Sequence, residues 1–187
     1  MDNTILSLNA VRISKDNIKE EGNLLHVEGY ACHFNRTNEN YEIVDEHSFE
    51  KFFTMLKQND RMPYFNYNHE TGNIIGGWDS IVADEVGLLC KGHLNLDDSF
   101  VKDRIIPHLM NGDLNGLSTE GRYPISSVEE RESGLYIGEY QLTGISLVSL
   151  PADFQAGIDS YNSVRAEFEE RKKKNRELEK VLRYYIG

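Results

Sequence analysis

Two side chains offer the chemistry of a hydrolase. They are Ser118, set in "NGLSTEG" (residues 115–121), and His69, which follows the aromatic run of "FNYNHETG" (residues 65–72). A serine hydroxyl is a weak nucleophile at its own pKa. It becomes a good one when a base, most often an imidazole, takes its proton and nearby donors hold the oxyanion that forms. Separation along the chain is no obstacle, because such sites are defined by geometry and occur in several chain orders. Here the order is His69, then Ser118. The serine does not sit in a G-x-S-x-G elbow, since Glu120 stands where the second glycine belongs. Other chemistries lack their marks. There is no P-loop, no dinucleotide fingerprint and no H-E-x-x-H; "HETG" opens like the last of these but has Asn73 at the second histidine's place. None of the 31 acidic residues is marked as half of a catalytic pair. Cys32 and Cys90 lie in apolar stretches without metal-ligand company, so they read as buried free thiols. No metal and no cofactor are expected.

The elements that must position His69 and Ser118 are mostly strands. "ILSLNAVRIS", "NLLHVEGYACHF", "MPYFNYNH", "NIIGGWDSIVAD", "GLLCKGHLNL", "LNGLSTEGRYPI", "GLYIGEYQLT" and "ISLVSLPA" alternate or cluster apolar residues over strand lengths. "DEVG" reads as a tight turn between two of them. Two helices interrupt the series. "HSFEKFFTMLKQ" places Phe49, Phe52, Phe53 and Leu56 on one face. "SFVKDRIIPHLMNGD" follows Asp97 and Asp98 as capping residues, ends at Gly112, and should be kinked or shortened by Pro107. The expected fold class is α+β: a mainly antiparallel β-barrel with flanking helices, closure being one way to manage sheet edges. Trp78 and the Tyr64, Phe65, Tyr67 group read as core, with pocket lining as the alternative. The charged, proline-free run from Asp159 to Gly187 reads as a C-terminal helix, giving a division into residues 1–158 and 159–187. Its basic middle is either a solvated face or a surface for docking onto a partner or another copy.

Bulk properties narrow the function classes. The chain has 187 residues and a formal charge of −11, which argues against a nucleic-acid-binding domain with its basic face. No apolar run approaches the roughly 20 residues that span a bilayer, and the N-terminus lacks the pattern of a signal peptide. A cytoplasmic protein without membrane or nucleic-acid partners is expected.

Four stretches in order resemble the tailed-phage prohead maturation proteases. "VEGYACHFN" resembles their opening strand, "YNHETGNIIGGW" their histidine motif, "LMNGDLNGLSTEGRY" their serine motif and "LTGISLVSLPADFQAGI" their closing signature, over roughly residues 28 to 158. The resemblance implies a fold like the herpesvirus protease barrel. It implies a serine endopeptidase acting inside the immature procapsid, in the host cytoplasm. Its substrates would be scaffold protein, major capsid protein extensions and the protease itself. Carried over, Ser118 is the nucleophile and His69 the general base. Gly121 and Arg122, in the "EGRY" turn, are candidates for the oxyanion site. The third member departs from the pattern: an acid precedes the S-L-V strand in many relatives, and Gly144 stands here. Glu139 is the first candidate to replace it; Glu120, two residues beyond the serine on the same strand face, and His93 are alternatives. A dyad assisted by water or a backbone carbonyl is a further option. The rival to a protease is the same barrel kept as a scaffold- or capsid-binding module, with Gly144 as the mark of lost catalysis; a third reading is another hydrolase on a similar barrel. The C-terminal segment has three uses open to it: targeting tail, homodimer contact, or the start of a fused scaffold region.

Overall fold

The structure is a computed structural model describing residues 4–12, 18–38 and 40–149; for 4–12 the backbone alone is described. The chain divides into two units, Met1–Leu150 and Pro151–Gly187. The expected C-terminal helix lies outside the described residues.

Among the described residues the first unit has eleven strands and two α-helices. β1 (Thr4–Arg12), β2 (Ile18–Glu21), β3 (Leu24–His33) and β4 (Glu42–Ile43) precede α1 (Glu50–Asn59); β5 (Tyr64–Tyr67), β6 (Glu70–Ala83) and β7 (Gly87–Asn95) lead to α2 (Ile106–Asn111). β8 (Gly116–Pro124), β9 (Val128–Arg131), β10 (Gly134–Ile137) and β11 (Gln141–Val148) complete it. Eight strands form one hydrogen-bonded sheet in the order β1-β8-β11-β5-β6-β7-β3-β2, and β4, β10 and β9 form a second. The fold is therefore mixed α+β and mostly sheet, as expected. Among the described residues the closed barrel is not found: β1 and β2, at the two ends of the order, do not pair with each other. β1 instead lies beside β3, so the long sheet curls without sealing its seam. Strand periodicity reveals which faces are apolar, but not whether the last pair of edges meets.

Alternation explains the core. In β3, Leu25, Val27 and Ala31 point inward while His26, Glu28 and Tyr30 are half-exposed. α1 buries Phe52 at its start and packs Phe53 and Leu56 against the core. Phe49 closes the turn before it and packs its ring, tilted, against those of Phe34 and Tyr140. Phe65 and Trp78 stack with ring centroids 4.1 Å apart and are core residues; Tyr64, 45% exposed, is not. β6 and β7 are joined by the expected tight turn, where the Asp84 carboxylate accepts hydrogen bonds from the Val86 and Gly87 amides. Asp98 caps the second helical stretch by accepting from the Phe100 amide at 2.8 Å. That stretch starts α-helical at Ser99 and Phe100, widens into a π turn over Val101–Ile105 and returns to α-helix at Ile106, with Pro107 in the turn that follows. Proline lacks the amide that an uninterrupted helix would need there. Gly112 ends the helix at φ +86°. Cys32 and Cys90 are buried and free, as expected. Burial pushes the Cys32 thiol up to about 12, out of nucleophilic range. No helix among the described residues is long and apolar enough to cross a membrane.

Candidate active site

The two residues singled out first are carried by three adjacent strands. β11 lies between β8, antiparallel, and β5, parallel. In register, Ser146 on β11 is opposite both Ser118 on β8 and Asn66 on β5. One step along, Gly144 is opposite Glu120 and Tyr64. Residues directly opposite share a face of the sheet, and residues two apart on a strand do so too. Ser118, Glu120, Ser146 and Asn66 thus point the same way, and all are buried. A cluster of four polar side chains on one sheet face demands internal partners.

His69 reaches this cluster from a turn. Asn68 and His69 form the two-residue connection between β5 and β6, with φ of +50° and +62°. Positive φ at both positions is the signature of the mirror-image turns that close tight hairpins, where Asn-Gly is the favoured pair. Histidine at the glycine position is strained. What holds it is local: its amide donates to the Ser146 hydroxyl at 3.1 Å, and the Asn68 amide donates to the Leu147 carbonyl at 3.1 Å. His69→Gly is accordingly expected to remain within about 1 kcal/mol of the parent in urea unfolding, the relief of strain offsetting the lost ring contacts. His69→Val, β-branched in the same backbone region, is expected to lose about 2 kcal/mol more. Both variants would be inactive, which separates the turn's conformational demand from its chemistry.

The ring's Nδ1 lies 3.1 Å from Glu120 Oε1 and 3.1 Å from Ser146 Oγ. Glu120 Oε1 also accepts from Asn66 Nδ2 at 2.9 Å and from the Ser146 hydroxyl at 2.7 Å. Ser146 Oγ is within reach of Asn66 Oδ1 as well, so its single proton has two acceptors. The tautomer this geometry requires carries the proton on Nδ1, donated to the carboxylate. Nε2, which has no hydrogen-bond partner among the described residues, is left as the basic nitrogen.

Burial pulls the Glu120 carboxyl upward. Hydrogen bonds from Ser146, Asn66 and His69 outweigh it and hold the group below the usual carboxylate range. A depressed folded-state pKa contributes stability above the unfolded value, about 4.3 for glutamate, and loses it as pH falls through the folded value. Thermal melts between pH 6 and pH 3 are therefore expected to drop more steeply for the parent than for Glu120→Gln. Parallel slopes would show that the carboxylate is not held as described.

The candidates from the sequence separate clearly. His69 and Glu120 are in contact. Ser118 is one strand away, opposite Ser146, and its hydroxyl makes no hydrogen bond among the described residues. The residue as a whole is 2% exposed. Catalytic hydrogen bonds are often long or unformed without substrate. Glu139 lies in the bend between β10 and β11, paired with Lys51 and bonded by Gln141, and is not among the partners of His69. His93 is on β7, bonded to Asp79 at 2.8 Å and ring-to-ring with His26. Gly121 faces away from the cluster, because a Cβ there would strike the Tyr140 ring. Its strand is paired on both sides, with Ser7 and Leu142 opposite, so its amide faces a ladder neighbour rather than open space. Arg122 is exposed at the end of the same strand.

Gly144 explains how Glu120 fits. A Cβ at 144 would come within 3.3 Å of Glu120 Oε1 and 3.4 Å of its Cδ. The bare backbone of Gly144 is what the carboxylate lies against. Asn66 and Ser146 were missed in the sequence. The signal available was Asn66 three residues before His69 in an otherwise aromatic strand; nothing marked Ser146 beyond its place in the S-L-V run.

Comparison with known proteins gives the family. A family profile described as "Caudovirus prohead serine protease" matches residues 10–174. The prohead protease of Enterobacteria phage HK97 is 30% identical over 139 residues, which are 73% of this chain and 60% of that protein. The chain thus spans about three fifths of that relative's length. Among solved structures, the bacteriophage T4 capsid assembly protease superposes with a TM-score of 0.66 at 14% identity, over 80% of this chain and 100% of that one, a likeness of fold. With the profile spanning most of its length, the chain belongs to the caudovirus prohead serine protease family.

Proposed function

We propose that this protein is a serine endopeptidase of procapsid maturation, with Ser118 as nucleophile, His69 as general base and Glu120 as the acid that orients the base. The observation that carries the reading is the 3.1 Å approach of His69 Nδ1 to Glu120 Oε1 on the strand face that also bears Ser118. His69 Nε2 takes the Ser118 proton as Oγ attacks the scissile carbonyl, and returns it to the leaving amine. Glu120 stays ionised throughout and balances the imidazolium, while Asn66 and Ser146 fix the carboxylate so that no reorganisation is needed when the charge forms. Lys51 and Gln141 occupy Glu139, which favours Glu120 over it as the third member. A carboxylate resting on Gly144 also speaks against catalysis lost at that position.

The substrates in this reading are scaffold protein, extensions of the major capsid protein and the chain itself, cut within the immature procapsid in the host cytoplasm. The position of β1 beside β3 supports treating the curled sheet as a relative of the herpesvirus protease barrel with one seam unpaired. Co-expression with the scaffold and capsid proteins tests the function. Shortened polypeptides are expected with the parent and absent with Ser118→Ala or His69→Ala. Particles that assemble without any polypeptide shortening would make the chain an assembly module instead.

A further inference from the structure

A groove of about 480 Å³ opens between α1, the segment leading into β5 and the start of β11. Its floor is apolar: Phe52, Leu56, Met62 and Leu142. Met55, 59% exposed, and Tyr64, 45% exposed, stand at its rim. Exposed apolar side chains of this size, gathered about a concavity, mark a surface made to be covered. The charged residues that line it have polar partners within the protein. Lys51 pairs with Glu139, and the Arg61 guanidinium donates to the Tyr64 hydroxyl at 3.1 Å. A charge placed on the floor would lose its water without finding a partner.

The groove adjoins the strands that carry the catalytic cluster, with its floor residue Leu142, opposite Gly121, on the other face of the sheet. Tyr64 is opposite Gly144, which is opposite Glu120, and Tyr64 lies two residues before Asn66 on the same strand. Thr143, part of the groove's wall, donates its hydroxyl to the Glu120 carbonyl at 3.2 Å. The groove wall therefore touches the backbone of the residue whose carboxylate holds His69.

Resting on the protease reading, we infer that this groove is a specificity subsite for the extended peptide substrate, and that it takes an uncharged, unbranched or γ-branched apolar side chain such as leucine or methionine. Met55 adapts the rim to the occupant through its flexible thioether. A peptide running along β11 and β5 would place one apolar residue over Leu56 and Met62 while its backbone passes Tyr64 toward the catalytic face.

The test uses the full chain and a mixture of decapeptides randomised at every position, with products read by mass spectrometry. The parent is expected to select an apolar residue at one fixed distance from the cut. Met55→Glu, an exposed substitution that leaves the catalytic residues in place, is expected to lower that selectivity about tenfold through KM with kcat retained. Met55→Leu is expected to restore it. Binding of fluorescent decapeptides to Ser118→Ala and to Ser118→Ala/Met55→Glu runs in parallel. Binding of apolar peptides that depends on Met55, with no cleavage by the parent, would keep the groove and remove the protease reading. Cleavage whose selectivity is unchanged by Met55→Glu would overturn the groove and keep the protease. If Met55→Glu alters only the sedimentation of the chain, the groove is a contact between copies and the inference falls.

Discussion

Ser118→Ala is expected to lower kcat by about five to six orders of magnitude, the loss typical when the nucleophile of a serine protease is removed. Ser146→Ala is expected to lose only about ten- to a hundredfold, as for a buried hydrogen bond to a charged group. The contrast matters because Ser146, not Ser118, touches His69 in the structure. Two features keep Ser146 from being the nucleophile. Its proton is directed at Asn66 Oδ1 and Glu120 Oε1. The ring nitrogen beside it is Nδ1, which carries the proton given to Glu120, and a protonated nitrogen cannot accept another. Ser118 shares the face and the register position, and its hydroxyl is not committed among the described residues. Both variants should fold, since each removes one oxygen from a position where alanine fits a strand. Steady-state cleavage by purified variants, with circular dichroism as the check on folding, decides between the serines. Equal losses at the two positions would mean that the roles are wrongly assigned.

Glu120→Gln is expected to reduce kcat by about 10³- to 10⁴-fold with KM nearly unchanged, while Glu139→Gln leaves kcat within about twofold. Glutamine keeps the shape and the hydrogen bond from Asn66 or Ser146, but presents an amide where His69 needs an anion. The wrong tautomer is then favoured, and the imidazolium that forms on attack is left unbalanced. Glu139 carries a surface ion pair with Lys51, of the kind that contributes little. A dyad working through water would show the reverse of the first result, with Glu120→Gln near parental activity.

His69 and Ser118 stood out as a pair because their motifs stand in order, and the strands around them were legible because apolar alternation is strong in β3 and β7. The helix facing Phe49, Phe52, Phe53 and Leu56 was readable for the same reason. What could not be read was register. Glu120 and Glu139 are both acids on or near strands close to the serine. Only the pairing of Gly144 with Glu120 decides which one meets the imidazole. The missing side chain at Gly144 looked like a loss in the sequence; in space it is room for a carboxylate supplied from the next strand. Asn66 escaped notice because its partners, Glu120 and Ser146, are distant along the chain. Barrel closure escaped correct reading because it depends on whether two strand edges meet, which periodicity does not encode.

The central claim is that His69, held by Glu120, activates Ser118 and no other serine. Fluorophosphonate labelling of the full chain, with the modified residue located by peptide mass spectrometry, tests it most directly. The adduct is expected on Ser118, with labelling slowed severely in His69→Ala and Glu120→Gln and retained in Glu139→Gln. An adduct on Ser146, or labelling of Ser118 at the same rate without His69, would contradict it.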